Sequence, residues 1–600
     1  MICQIQLYLL DNQKNNNIKK MILDKVSYPK DLKSLSNEEL IKLASEIRTV
    51  LITKLNKTGG HLAPNLGMVE ATIALHYVFD CPKDKVVFDI SHQCYVHKIL
   101  TGRKEGFTEE KNYKKYTTFT NPDESEYDVF KTGHSSVSIS FATGLAKARD
   151  INKEKYNIIT VIGDGALTGG QAYEGLNNAG TFKTNFIILL NDNEWSIAEN
   201  NGSLVKHLSD LRKSNGKCEN NLFKALGFDY YYVENGHSIP DLIDAFKKVK
   251  DSEHPVVVHF HTVKGKGYEK AEKDPEHYHG ILPGDKPRIL PGQETYLTIT
   301  REYLLNEIKK GNNIVVVSAA TPLYSGLEPK IRQELGEHYH DVAIAEQDAV
   351  SFISGMAKNK AKPVLYVAST FMQRAYDQLL QDLALNKNPA TILVTGGGIN
   401  SASDTHIGLF DIPLISSIPE FTYLNPTCKE EYLKMLDYSI NINKQGPIAI
   451  RVPMKHLEIT GIEDTTDYSI KNKFKLIQKG TKVAFIGLGS MFTLAKETYE
   501  ELKKEKNIEG SLINPIFASG LDKDLLEELK KDTGVVVCIE DGSLEGGFGH
   551  RIAAFYADSN VKVLLYGALK EFNNCVPMDQ LILRYRLKKE LIIEDIMKHI

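Results

Sequence analysis

The sequence has little of what disulfide scaffolds, metal clusters and membrane spans require. Its seven cysteines are scattered and no two form a CxxC pair, a pattern typical of free thiols in a reducing compartment. No apolar run reaches the roughly eighteen residues that a membrane helix needs. A net charge of -4 argues against a general nucleic-acid or membrane surface. These absences predict a cytoplasmic protein that binds neither nucleic acid nor membrane.

The length indicates several domains, because 600 residues with 42% hydrophobic content exceed what one core holds. Residues 1–20 end in an Asn- and Lys-rich tract, so we expect a disordered extension and consider Met21 as an alternative start to Met1. Stretches rich in proline and glycine at 281–295 and in polar residues at 463–473 predict linkers. The domains expected between them are 21–280, 296–462 and 474–600.

Residues 158–195 predict a βαβ unit, around which the chain is organised. An apolar run at 158–162 breaks at Gly163-Asp164-Gly165 and leads through a small-residue helix to a second apolar run at 186–190. That run ends in Asn191-Asp192-Asn193. Both polar clusters therefore follow parallel strands, at the edge where open α/β sheets bind ligands.

These clusters carry the donors that a magnesium-diphosphate site requires. Mg2+ takes oxygen ligands, and Asp164, the amide of Asn193 and a backbone carbonyl near Trp195 can supply three of them. Glycines beside Asp164 let the backbone approach phosphate closely. A Gly-Asp-Gly triplet alone is more often an ordinary turn, but its combination with Asn193 reverses that preference.

Gly163-Asp164-Gly165 followed by Asn193 resembles the thiamine diphosphate motif of the transketolase superfamily. From about residue 32 to 591 the chain resembles that superfamily's 1-deoxy-D-xylulose-5-phosphate synthase family. The resemblance implies an α/β fold with two parallel-sheet domains that bind thiamine diphosphate, plus a transketolase-type C-terminal α/β domain. It also implies thiamine diphosphate and Mg2+ as cofactors, and a homodimer.

The implied reaction joins pyruvate, after loss of carbon dioxide, to an aldehyde such as glyceraldehyde 3-phosphate. Its product, 1-deoxy-D-xylulose 5-phosphate, is a precursor of isoprenoids, thiamine and pyridoxal. Three alternatives stay open: a transketolase-like transfer from ketose phosphates, carboligation to a different aldehyde, and a catalytically inactive cofactor-binding paralogue.

The resemblance also implies roles for individual residues. Glu346 is expected to hydrogen-bond the cofactor's aminopyrimidine, and Phe371 to stack on that ring. The catalytic residues implied are Glu346, His61, His92 and His406. The cofactor-binding residues implied are His92, Gly133, His134, Ser135, Gly165, Ala166, Asn193, Tyr268, Glu346 and Phe371, with the metal on Asp164, Asn193 and Trp195. The substrate-binding residues implied are His61, His279, Arg374, His406 and Arg451.

Plainer interpretations exist for some of these residues. Glu346 could be only a helix cap, His61 could be structural, and Tyr268 and His279 could be surface loop residues. Cys94, close to His92 in the chain, is interpreted as a packing residue.

The departures from the family concentrate where the aldehyde phosphate would bind. Ala368 replaces a Tyr, Gly396-Gly397-Gly398 follows Thr395 where the family has Asp-Arg-Ala-Gly, and Ser401-Ala402-Ser403 replaces an Asp. Each charged hydrogen bond lost costs roughly 1.5–3 kcal/mol of binding. Either Arg374 and Arg451 compensate, or the acceptor is another aldehyde.

Two features of the C-terminal region are interpreted as structural. Gly487-Leu488-Gly489-Ser490 lacks the third glycine and the acidic partner of a dinucleotide loop, so it predicts a tight turn. Residues 540–549 resemble the superfamily's C-terminal signature.

Overall fold

The computed structural model describes residues 21–290, 292–401, 403–454 and 456–600. The predicted extension at 1–20 and Ala402 lie outside the described residues. The chain divides into two compact units. The first comprises the described residues up to Leu167, Gln171–Glu199 and Ser203–Arg288, and the second comprises Thr168–Gly170, Asn200–Gly202 and the described part of Ile289–Ile600. Within these ranges, no helix combines the length and hydropathy needed to cross a bilayer.

The first unit is built on a five-stranded parallel sheet with the order β1-β2-β3-β5-β4. Its strands are β1 Lys85–Phe88, β2 Ile158–Gly163, β3 Phe186–Asp192, β4 Asp229–Val233 and β5 Pro255–His261. Along β3, Ile187 and Leu189 join one hydrophobic cluster, whereas Ile188 and Leu190 join another. Because neighbouring side chains of a strand point to opposite faces, the sheet is buried on both sides.

Helices cover both faces of this sheet. The longest, Asn37–Thr58, begins with a capping box: Ser36 Oγ accepts from Glu39 N at 3.2 Å, and the Glu39 carboxylate accepts from Ser36 N at 3.1 Å. The other α-helices are Ile22–Lys25, Pro29–Leu32, Ala63–Gly67, Val69–Val78, Tyr95–Lys98, Glu105–Thr108, Ser138–Ile151, Gly170–Ala179, Ser203–Lys213, Leu222–Ala225, Ile239–Val249 and Glu269–Lys273. Shorter 3-10 or π turns are Ile99–Arg103, Glu110–Asn112, Ala166–Thr168 and His277–His279.

The second unit contains a six-stranded parallel sheet with the order β10-β11-β9-β8-β6-β7. Its strands are β6 Ile314–Ser318, β7 Tyr339–Asp341, β8 Lys362–Ala368, β9 Thr391–Thr395, β10 Thr422–Leu424 and β11 Ile448–Arg451. The apolar run at 342–345 predicts a strand, but no strand forms there. Ala343 has a φ of 63°, and its N–H donates to Asp341 Oδ1 at 2.8 Å, so the apolar run turns into the helix that starts at Glu346.

The second unit also contains a five-stranded sheet with the order β12-β14-β13-β15-β16, in which only β12 is antiparallel. Its strands are β12 Lys475–Gln478, β13 Lys482–Gly487, β14 Ser511–Asn514, β15 Thr533–Ser543 and β16 Lys562–Ala568. The turn predicted after β13 is confirmed, because a short 3-10 segment, Gly489–Met491, leads directly into the next helix.

The helices of the second unit alternate with its strands. The α-helices are Tyr296–Lys309, Pro329–Leu335, Glu346–Lys358, Ser369–Met372, Asp411–Ser416, Lys429–Asp437, Phe492–Lys506, Lys523–Leu529, Phe548–Phe555, Met578–Arg584 and Lys589–Ile596. Shorter 3-10 or π segments besides Gly489–Met491 are Pro322–Ser325, Gly336–His338, Gln373–Ala375, Gln378–Ala384 and Tyr438–Ile442. Alternation of helices with parallel strands confirms the predicted α/β class.

Candidate active site

The predicted metal residues lie together at the carboxyl end of the first unit's sheet. β2 and β3 are neighbours, and Asp164 N donates to Asn191 O at 3.1 Å. The Asp164 carboxylate is buried and accepts from the backbone N–H groups of Asn193 and Glu194. Trp195 N donates to the side-chain oxygen of Asn193 at 3.1 Å. The structure therefore brings Asp164, Asn193 and Trp195 into one group.

Asp164 sits where its ionised form is disfavoured. Burial, together with the negative charge of Asp192, raises the pKa of Asp164 well above its usual range. Asp192 is also buried, but His259 Nε2, 2.9 Å away, and Arg212 lower its pKa. The fold thus neutralises Asp192 internally, whereas a bound cation such as Mg2+ would stabilise the Asp164 carboxylate.

The loop with the predicted cofactor residues Gly133, His134 and Ser135 is held against the Asp164 loop. Ser136 Oγ donates to Ala166 O at 2.7 Å, next to the predicted residue Gly165. Ser136 N and Ser138 N donate to the two carboxylate oxygens of Asp89 at 2.7 and 2.9 Å. Asp89 is a positioning residue that the sequence analysis missed, although its place directly after β1 was a usable signal.

Three predicted histidines form a cluster in the first unit. The ring centroids of His61 and His92 are 5.3 Å apart, those of His92 and His279 are 5.2 Å apart, and those of His61 and His279 are 5.8 Å apart. Burial, and then the charge of Lys264, hold the pKa of His279 well below its usual range. His279 is therefore a neutral imidazole near pH 7, able to donate or accept a proton.

Asn65 fixes the backbone beneath this cluster. Its side-chain Nδ2 donates to the carbonyl oxygens of His61 and His92, both at 2.8 Å. Its Oδ1 accepts from Tyr95 N at 2.9 Å. Asn65 is fully buried, so it is a positioning residue that no local pattern in the sequence revealed.

Lys264 is a further charged group beside this site that the sequence analysis did not assign. It is 3% exposed, and its Nζ donates to Ser196 O at 2.6 Å. Burial outweighs the attraction of Asp164 and lowers the pKa of Lys264 to about 7. Its place just after β5, at the carboxyl end of the sheet, could have signalled it. The predicted cofactor residue Tyr268, in the same loop, packs edge-to-face on Tyr278 with ring centroids 5.7 Å apart.

In the second unit, Glu346 begins the helix Glu346–Lys358 and is 5% exposed. Its Oε2 lies 3.4 Å from Arg374 Nη1. A carboxylate at a helix start is stabilised by the helix dipole. The structure thus places the predicted catalytic Glu346 and the predicted substrate residue Arg374 in contact.

Phe371 and His406, also predicted, form a second pair in this unit. Their rings meet edge to face with centroids 5.6 Å apart. Thr405 Oγ1 lies 2.9 Å from His406 Nδ1, within hydrogen-bond distance. Burial lowers the pKa of His406 to about 4, so its imidazole is neutral at pH 7.

Arg451 does not offer its guanidinium to a substrate. Its Nε lies 2.7 Å from Asp411 Oδ2, and its Nη1 contacts Asp541. Tyr423 and Ser490 hydrogen-bond the same two carboxylates. A phosphate would have to displace two buried carboxylates to reach Arg451, so the role of Arg451 in substrate binding stays a prediction that this arrangement disfavours.

The glycine tract that departs from the family makes room for this cluster. A Cβ on Gly397 would lie 2.7 Å from Arg451 Nε and 3.0 Å from Asp411 Oδ2. A Cβ on Gly398, whose φ is +107°, would lie 2.7 Å from Asp541 Oδ2. Side chains at these positions would push the ion pairs apart. The two Arg451–carboxylate pairs therefore depend on the small size of Gly397 and Gly398.

Comparison with known proteins extends along both units. The family profile for 1-deoxy-D-xylulose-5-phosphate synthase matches residues 23–218 and 214–262. The profiles for the transketolase pyrimidine-binding domain and the transketolase C-terminal domain match residues 293–459 and 472–574. A 1-deoxy-D-xylulose-5-phosphate synthase from Clostridium botulinum (strain Alaska E43 / Type E3) is 38% identical over 94% of this chain and 97% of its own. The chain belongs to the 1-deoxy-D-xylulose-5-phosphate synthase family.

Other members of the synthase family are equally similar. The protein of that name from Natranaerobius thermophilus is 39% identical and covers 88% of this chain and 90% of its own. The one from Brevibacillus brevis is 39% identical and covers 90% of this chain and 91% of its own. The predicted family and three-part transketolase-type fold are therefore confirmed.

Proposed function

We propose that this protein condenses pyruvate with glyceraldehyde 3-phosphate, releasing carbon dioxide and forming 1-deoxy-D-xylulose 5-phosphate. The observation that carries the proposal is the buried Asp164 beside Asn193, in a chain whose relatives along nearly its whole length are named synthases of that product. With this activity, the protein is a transketolase-type transferase that uses thiamine diphosphate and Mg2+.

The donor set of the first unit fits a magnesium-bound diphosphate. Burial disfavours both the ionised form of Asp164 and the protonated form of Lys264. A divalent cation would stabilise the ionised carboxylate of Asp164, and a diphosphate would stabilise the protonated amine of Lys264. Asp164, Asn193 and the backbone at Trp195 would hold the metal, and Lys264 would face the diphosphate with His92, Gly133, His134, Ser135, Gly165, Ala166 and Tyr268.

Two residues of the second unit have the chemistry that an aminopyrimidine ring would need. Bound thiamine diphosphate supplies an electron-accepting thiazolium carbon, which makes decarboxylation of pyruvate possible. Phe371 offers an aromatic face to the aminopyrimidine ring. Glu346, fixed at its helix start, would hold a proton at that ring's nitrogen.

The histidines are proposed to handle substrate protons. His279 and His406 are neutral near pH 7 because burial lowers their pKa values, so each can take up or donate one proton. His61 and His92 lie beside His279 and would hold the oxygen atoms of pyruvate and the aldehyde. A proton delivered to the aldehyde oxygen completes formation of the carbon-carbon bond.

Arg374 is the cation proposed for the acceptor phosphate. Arg451 is held by Asp411 and Asp541, so it is disfavoured as a second candidate. Arg374 contacts Glu346 at 3.4 Å, and its planar guanidinium suits a phosphate.

The assembly and location are proposed from family membership and composition. A homodimer follows the transketolase superfamily, and light scattering on the purified protein would measure it. Free cysteines such as Cys81 and Cys94 suit the reducing cytoplasm.

The experiment compares Glu346→Gln with Glu337→Gln, an exposed glutamate of the same unit. Purified protein with pyruvate and glyceraldehyde 3-phosphate should form 1-deoxy-D-xylulose 5-phosphate only when thiamine diphosphate and Mg2+ are present. Glu346→Gln should lower kcat at least about 100-fold with little change in Tm, since it removes the proton-sharing carboxylate. Glu337→Gln should match the wild type. Full activity of Glu346→Gln, or two-carbon transfer from a ketose phosphate without carbon dioxide release, would refute the proposal.

A further inference from the structure

The C-terminal sheet of the second unit has a topological switch point. From β13 the chain moves to β14 on one side, and then returns to β15 on the other side of β13. The segments that leave β13 and β15 therefore diverge at the carboxyl ends of these strands. In open α/β sheets, such a crevice is where ligands bind.

A cavity of about 510 Å3 lies at this switch point. Gly489, Ser490 and Met491, just after β13, line it together with Asp541 in the carboxyl-terminal part of β15. Its volume falls within the range of small-molecule sites, roughly 300–1,000 Å3. The strand order and the cavity volume therefore indicate the same candidate binding site.

The cavity wall contains a buried donor without a partner. Asn425 is 1% exposed, and its Nδ2 has no hydrogen-bond acceptor among the residues that the structure describes. Leaving a buried amide donor unpaired costs about 1–3 kcal/mol. A ligand that presents a carbonyl oxygen or a ring nitrogen here would pair with it.

The charges around the cavity select against anions. Among the residues that the structure describes, Asp541 and Glu497 line it, and Arg451, which also lines it, is already held by Asp541 and Asp411. The carboxylates therefore leave the lining net negative. A phosphorylated ligand would be repelled, whereas hydroxyl groups could donate to Glu497.

The remaining wall is apolar and suits a flat ring. Met491, Leu494 and Ile582 contribute thioether and aliphatic surface to the cavity. Methionine sulfur and branched aliphatic groups pack well against aromatic rings. An apolar wall, an unpaired donor and a carboxylate together match a heteroaromatic ring attached to a polyol.

We propose that this cavity binds an uncharged nucleoside. Its ring would lie against Met491 and Leu494, with an acceptor atom at Asn425 Nδ2 and sugar hydroxyls at Glu497. The cavity is lined by segments of the C-terminal sheet and by segments that follow β9 and β11, including Gly397 and Ser401. The proposal goes beyond the carboligation and rests on the lining of this cavity alone.

The test is a calorimetric titration of adenosine into the full chain saturated with thiamine diphosphate and Mg2+. Saturable binding of one adenosine per chain is expected, and AMP should bind at least about tenfold more weakly because of the two carboxylates. No saturable heat up to about 1 mM adenosine, or AMP binding as tight as adenosine, would overturn the proposal.

Two variants locate the site. Leu494→Trp should abolish adenosine binding by filling the cavity, with a thermal unfolding scan to confirm that it folds. Glu497→Gln, on an exposed position that tolerates substitution, should weaken binding about tenfold, while Glu500→Gln on the same helix should not. Equal effects of Glu497→Gln and Glu500→Gln would place the binding elsewhere and overturn the assignment.

Discussion

Asp164 in the first unit and Arg451 in the second are both buried, charged residues predicted at the site, yet the fold treats them in opposite ways. Burial and Asp192 raise the pKa of Asp164 despite its backbone hydrogen bonds, so a bound cation would stabilise its charge. Arg451 lies between Asp411 and Asp541 and is neutralised from within. A buried residue whose shifted pKa disfavours its ionised form indicates a ligand-binding site. A buried charge that neighbouring residues neutralise indicates a structural role.

Asp192 supports the same distinction within a single loop. It precedes Asn193 directly, but Arg212 and His259 bind its carboxylate and lower its pKa. Of the two aspartates of the predicted motif, only Asp164 has the electrostatics of a metal ligand.

The largest expected effect is that of Asp164→Asn. This substitution should reduce affinity for Mg2+ and thiamine diphosphate by more than roughly 10–100-fold, which is the loss caused by mutating a residue that contacts only a metal ligand and not the metal. The apo protein should unfold at the same or a higher temperature than the wild type, because a costly buried carboxylate has been removed.

Thermal unfolding with and without both cofactors measures this effect. The cofactor-induced rise in Tm should vanish in Asp164→Asn and persist in the exposed control Asp210→Asn. A normal rise in Asp164→Asn would place the metal elsewhere.

Next in size is the effect of Arg451→Met on stability. Removing this guanidinium leaves two buried carboxylates, so the free energy of unfolding should fall by about 3–5 kcal/mol in urea titrations. Adding Asp411→Asn and Asp541→Asn to Arg451→Met should restore part of that loss.

Arg374→Met is the matched comparison for Arg451→Met. It should lower kcat/KM for the phosphorylated aldehyde about tenfold or more, with a smaller loss of stability. If Arg451→Met instead raised KM and left stability unchanged, Arg451 would be a substrate ligand after all.

A smaller effect should appear in the pH dependence of cofactor binding. The pKa of Lys264 is about 7 without ligand, so at pH 8 the amine is mostly neutral. A bound diphosphate favours the protonated amine, so binding at pH 8 should take up a proton at Lys264, and affinity should fall as pH rises from 7 to 9.

Calorimetry in buffers of different ionisation enthalpy measures this proton. Lys264→Met should take up fewer protons than the wild type and bind about tenfold more weakly at pH 7. Lys266→Met, in the same loop, serves as the control. Equal proton uptake in wild type and Lys264→Met would show that Lys264 does not contact the diphosphate.

The smallest effect concerns the glycine tract. Gly397→Ala should destabilise the protein by about 1–3 kcal/mol, because its Cβ would meet Arg451 Nε at 2.7 Å. Gly144→Ala, in a helix with nothing within 4 Å, should stabilise it by about 0.5–1 kcal/mol. Similar changes for both variants in urea titrations would mean that Arg451 and its partners adapt freely.

Buried strands could be predicted closely from the sequence, since continuous apolar runs mark them. The apolar run at 391–395 predicts a strand, and β9 is found there. β4, Asp229–Val233, was not predicted, because it is an edge strand in which burial alternates although Tyr230, Tyr231 and Tyr232 follow one another. The apolar run at 342–345 does not form a strand, because the chain turns at Ala343, which has a positive φ. Its apolar composition did not distinguish this turn from a strand.

Site residues were predictable where they follow a strand within a short motif. Asp164, Asn193 and His92 belong to this kind, whereas His61 and His279 were indicated by the family resemblance. The ion pairs of Arg451 were not predictable, because Asp411 and Asp541 lie 40 and 90 positions away in the chain. Only the folded unit shows which buried charges neutralise one another.

The most direct test of the account measures product formation from pyruvate with glyceraldehyde 3-phosphate and, in parallel, with D-glyceraldehyde. With thiamine diphosphate and Mg2+ present, we expect 1-deoxy-D-xylulose 5-phosphate, and a kcat/KM at least about tenfold higher for the phosphorylated aldehyde, as one charge-assisted contact from Arg374 would give. Absence of that product, or equal efficiency with D-glyceraldehyde, would contradict the account.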